Sequence, residues 1–82
     1  MDIFEQILKC RSMTVIGFRV EGAIAATSIG EPAYHKALLS ILNTNDLDEV
    51  WAIAHEQLGH VEEAQKLRTW IANKPKRPYA NS

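Results

Sequence analysis

The chain has 82 residues and a mass of 9.2 kDa, the size of one small domain. Hydrophobic residues make up 46% and charged residues 23%, which excludes a wholly disordered chain. Nine basic residues against ten acidic ones leave a formal charge of −1, a balance that suits neither a polyanion mimic nor a general nucleic-acid binder.

Helical periodicity dominates the chain. Asp2 to Cys10 is predicted as the first helix, with Asp2 at the N-cap and Glu5 in the capping-box position; Ile3, Phe4, Ile7 and Leu8 form its apolar stripe. Ser12 to Ile29 reads two ways. Met13 to Val20 is rich in the β-branched and aromatic residues of a strand, yet Ile16, Val20, Ala23, Ile24 and Thr27 recur at helical spacing. A solitary strand would have no pairing partner here, so a helix opened by Ser12 is predicted. Gly17 and Gly22 each disfavour a helix interior by about 1 kcal/mol relative to alanine. Together with Ala23, Ala25 and Ala26 they are expected to admit a closely packed neighbouring helix.

Gly30 ends this segment and Pro32 opens the next in the favoured first-turn position. Pro32 to Leu42 is predicted as a helix that buries Tyr34, Ala37, Leu38, Ile41 and Leu42, with Leu39 to one side. Asn43-Thr44-Asn45 is a turn. Asp46 with Glu49 forms a second capping-box pattern and opens a helix to Leu58, buried through Leu47, Val50, Trp51, Ala54 and Leu58. Gly59 stops it. Val61 to Asn73 is the last helix, with Val61, Ala64, Leu67 and Ile71 on one face and Trp70 at its border. The expectation is a single all-α domain over residues 1–73, four or five short helices ending in a helical hairpin, followed by an extended basic C-terminal tail over 74–82.

Asp46 to Pro78 resembles a single tetratricopeptide-repeat hairpin through Trp51-Ala52, Gly59, Val61, Ala64 and Pro75. It departs from that family at Arg68, where an aromatic residue is expected, and at Ile71, where a small one is. The likeness occurs once, whereas such repeats need about three neighbours for stability. It implies a helical hairpin, and no binding groove.

No residue pattern supports an enzyme. His55-Glu56-Gln57-Leu58-Gly59-His60 superficially suggests a zinc-protease helix, but that motif needs histidines four apart. A spacing of five rotates the second by about 140° from the first, and Gly59 ends the helix between them. The two histidines are expected to face solvent or cap locally. Cys10 stands beside Lys9 and Arg11, cations that favour a thiolate, but no nucleophile elbow or oxyanion loop accompanies it. The glycines lack the frame of a phosphate loop, and Asp46, Asp48, Glu49, Glu56, Glu62 and Glu63 lack the spacing of a calcium loop. No metal and no cofactor is expected.

A lone cysteine allows no internal disulfide, which suits a reducing compartment. The N-terminus opens with acids where a secretion signal would be basic. The apolar-leaning stretch Met13 to Ile29 is interrupted by Arg19, Glu21 and two glycines, too broken for a membrane span. A cytoplasmic chain away from the membrane is therefore expected.

A chain of this size buries only about 63% of its unfolded surface, so some large apolar groups stay outside. Phe18, Leu39, Ile53 and Trp70 fall off the assigned stripes and are the candidate protein interface. The leading expectation is a non-catalytic protein-binding module: a regulator, adaptor or inhibitor of a larger protein complex, and itself a homo-oligomer. Small phage- and plasmid-encoded inhibitors share that format in size and class. The second reading is a nucleic-acid-associated regulator that uses Lys74, Lys76, Arg77 and Tyr79 of the tail. Against helix-turn-helix DNA reading, Glu62 and Glu63 open the last helix where phosphates would approach. The third is a small-ligand binder at a helical oligomer interface.

Overall fold

Local backbone chemistry sets the helix boundaries. The computed structural model describes residues 2–26 and 32–74, and among these it forms five helices and no strand. Helix α1 spans Ile3–Leu8, and its N-cap Asp2 accepts a hydrogen bond from the Phe4 N–H at 2.8 Å. Helix α2 spans Met13–Ala26, and the Ser12 hydroxyl oxygen accepts from the Val15 N–H at 3.3 Å. Met13 to Val20, the stretch with strand-like composition, is thus helical. Helix α3 is Pro32–Leu42, with proline at its first position.

Helix α4 spans Leu47–Gln57, with Asp46 Oδ1 accepting from the Asp48 N–H at 2.9 Å. The reciprocal half of the expected capping box is absent: the Asp46 N–H donates to Thr44 Oγ1 at 3.2 Å. Gly59, at φ 81°, ends α4 in the left-handed conformation that favours glycine. Helix α5 follows as Val61–Asn73.

Helices α1, α2, α3 and α4 form a closed ring, each packed on the next and α4 back on α1. The core lies inside it: Phe4 and Ile7, Ile16 and Val20, Ala37, Leu38 and Ile41, then Val50, Ile53 and Ala54. Phe4 meets Tyr34 edge to face, with ring centroids 5.6 Å apart.

Helix α5 sits outside the ring, packed principally on α4. Asp48, Ala52 and Glu56 stand four residues apart on one row of α4 and supply that contact. Ala52 and Ala64 are buried there, outside the core cluster. Arg68 binds Glu56 through two hydrogen bonds of 2.8 Å, and the Trp70 indole N–H donates to Asp48 Oδ2 at 3.0 Å. Lys74 Nζ reaches Asp46 Oδ2 at 2.6 Å and Asp48 Oδ2 at 3.4 Å.

Three expectations need correction. Gly17 and Gly22 admit no close neighbour, since a Cβ built at either would meet nothing within 4 Å. Leu42 and Val61 belong to predicted stripes but are 36% and 62% exposed, because each lies at the rim of its contact. Trp51 is half-buried, packed against the core without lying in it. Thr27, Ile29, Gly30 and the tail beyond Lys74 lie outside the described residues.

Candidate functional site

Among the described residues the most exposed large apolar side chain is Phe18, 70% exposed in the middle of α2. Ile16 and Val20 turn the inner face of this helix into the core, which leaves Val15 and Phe18 on the outer face. Leu39 and Leu42, three residues apart, stand outward on α3. Met13, Gly17 and Leu42 line a shallow groove of about 240 Å³ between α2 and α3.

Trp70 is 55% exposed on α5, in accord with its border position. Its hydrogen bond to Asp48 holds the indole against the N-terminal end of α4 with a face left to solvent. Ile53 departs from expectation. It is only 8% exposed and belongs to the core cluster, because α4 is covered by α1, α3 and α5 and buries far more than one stripe. With Ala37 it lines a second open groove of about 380 Å³ between α3, α4 and α5, whose polar residues include Lys36, Glu49, Glu56 and Arg68.

Among the described residues, Lys74 pairs with Asp46 and Asp48, and Arg68 with Glu56. The hydrogen bond from Lys74 holds the Asp46 carboxyl below its usual range, and Lys74 is raised in return. Arg68 lowers Glu56 in the same way and is itself raised. Lys74 is therefore engaged within the chain, whereas Lys76, Arg77 and Tyr79 lie outside the described residues.

Both histidines reach solvent as expected, but their rings are not turned apart. Nδ1 of His55 and Nδ1 of His60 lie 3.0 Å apart, with ring centroids separated by 5.2 Å. His60 occupies the N-cap of α5, yet its side chain makes no capping hydrogen bond. The rotation argument holds only along one continuous helix, and Gly59 turns the chain so that the second ring returns beside the first. Cys10 Sγ contacts the Ser12 carbonyl oxygen at 3.7 Å. Among the described residues no three His, Cys, Asp or Glu side chains gather to hold a metal ion, and no helix is long and apolar enough to cross a membrane.

The chain matches no protein-family model, no curated protein and no solved structure.

Proposed function

We propose that the chain is a non-catalytic protein-binding module, a small regulator, adaptor or inhibitor that acts by docking on a larger protein complex. The observation that carries this reading is Phe18, an aromatic side chain left 70% exposed on a helix whose other face is fully committed to the core. Exposed apolar patches with an aromatic centre mark interfaces, and aromatic anchors supply a large share of binding energy there. Val15 beside it and Leu39 and Leu42 on α3 extend the apolar surface, while Trp70 offers a second anchor on α5.

Self-association through one of these surfaces fits the same reading, as does a reducing, cytoplasmic setting for a chain with a single cysteine. The nucleic-acid reading is weaker, because Lys74 is held by Asp46 and Asp48. The small-ligand reading has only open, shallow grooves to draw on.

The test is affinity capture from the source cell with the wild-type chain, Phe18→Asp and Trp70→Ala, paired with light scattering. One partner retained by wild type and lost by Phe18→Asp, with both variants folded, supports the reading. A partner profile and oligomeric state identical in all three chains overturns it.

A further inference from the structure

The turn between α4 and α5 brings two imidazoles into a defined relation. The His60 N–H donates to the His55 carbonyl at 2.8 Å, and the Gly59 N–H donates to that of Glu56 at 3.2 Å. These are the two nested bonds of a Schellman motif, in which the side chains at the positions of His55 and His60 routinely meet. Here the side chains that meet carry metal-binding nitrogens. Gly59 holds the turn, so the spacing between the two rings is built into the backbone.

We propose that His55 and His60 form a two-histidine chelate for a divalent transition-metal ion such as Ni(II). Two imidazole nitrogens bound to one ion at 2.0–2.1 Å lie about 2.8–3.4 Å apart across right-angle and tetrahedral geometries. At 3.0 Å the two Nδ1 atoms already stand within that range. Both rings reach solvent, His60 the more so, which leaves the remaining coordination positions to water.

Without an ion the rings meet nearly end to end, the arrangement of an N–H···N hydrogen bond in which one Nδ1 carries the proton. Loading the ion moves that proton to Nε2 of the same ring through solvent exchange. A rotation of each ring about its Cβ–Cγ bond then turns both Nδ1 lone pairs toward the ion. Nothing is oxidised or reduced. With two protein donors the site is an exchangeable surface chelate with no catalytic role, and it is independent of the docking reading.

Nickel chloride titrated into the full chain is the test, followed by calorimetry and by proton resonances of the histidine rings. Ni(II) is the probe because the Cys10 thiol would reduce Cu(II). One ion per chain is expected, with His55 and His60 broadening before His35. His55→Ala and His60→Ala should each lose roughly a hundredfold in affinity, the scale by which linked sites exceed single ones. His60→Phe keeps the ring packing without the donor and should lose as much. Broadening that begins at His35, wild-type affinity in any of the three variants, or no binding at millimolar nickel overturns the proposal.

Discussion

The indole N–H of Trp51 donates to the carbonyl oxygen of Ile7 at 3.2 Å, a bond between residues 44 positions apart that ties α4 to the end of α1. The Arg11 guanidinium lies 5.8 Å from the same ring, so the indole is held at its edge and at its face. Truncation to alanine should cost about 3 kcal/mol, the low end for a large aromatic, because the ring is only half-buried. Trp51→Phe should cost about 1 kcal/mol, since the Ile7 carbonyl still accepts from the Cys10 N–H at 3.0 Å. Urea unfolding of the two variants checks this, and a Trp51→Phe midpoint equal to that of the wild-type chain would remove the hydrogen bond from the explanation.

Gly22 is exposed within α2, with nothing near its missing side chain. Gly22→Ala should raise stability by about 0.5–1 kcal/mol through backbone entropy and helix propensity. A close helix neighbour at this position would instead make the substitution destabilising. The direction of the melting shift decides between them.

Gly59→Ala should destabilise by about 1–2 kcal/mol, although its surroundings are open, because φ is +81°. Gly59→Asn should recover part of the loss, since asparagine tolerates this conformation. A melt in which Asn and Ala are indistinguishable would place the cost elsewhere than in the backbone.

Acid should destabilise the fold through Asp46 and Glu56. Both carboxyls are depressed in the folded chain, by Lys74 and Arg68 respectively, so the folded state binds fewer protons there than the unfolded state. Their contribution is complete above the unfolded carboxylate pKa of about 4 and is lost as pH falls through the lower folded values. Asp46→Asn keeps an N-cap acceptor but removes the ion pair with Lys74. The melting temperature of this variant should therefore depend less on pH below about 4. An unchanged slope would show that the Lys74 contact contributes nothing.

Boundaries were legible wherever a single residue acts on its own backbone. Pro32, Asp46 and Gly59 mark helix ends by their own conformational chemistry, and α3 runs over the residues that its periodicity indicates. Burial was less legible because it depends on neighbours. Ala52 and Ile53 lie off the Val50–Ala54 stripe yet are buried, since α4 has helices on several sides. Val61 lies on the stripe of α5 yet is exposed, since α5 touches little beyond one helix. Phe18, Leu39 and Trp70 could be singled out as apolar residues outside every stripe. The meeting of His55 and His60 could not, because it depends on how the chain turns at Gly59, which a spacing along a helix does not describe.

The placement of α5 outside the ring has a kinetic consequence. Its buried side chain is Ala64, and much of its attachment to α4 runs through Arg68, Trp70 and Lys74 on Glu56, Asp46 and Asp48. Such contacts are partly solvated and weakened by salt, whereas the four ring helices share one apolar core. The amides of α5 should therefore exchange with solvent deuterium through a partial opening that leaves α1 to α4 protected. Raising the salt concentration should hasten exchange in α5 well before it affects the amides of Leu38, Ile41 or Val50.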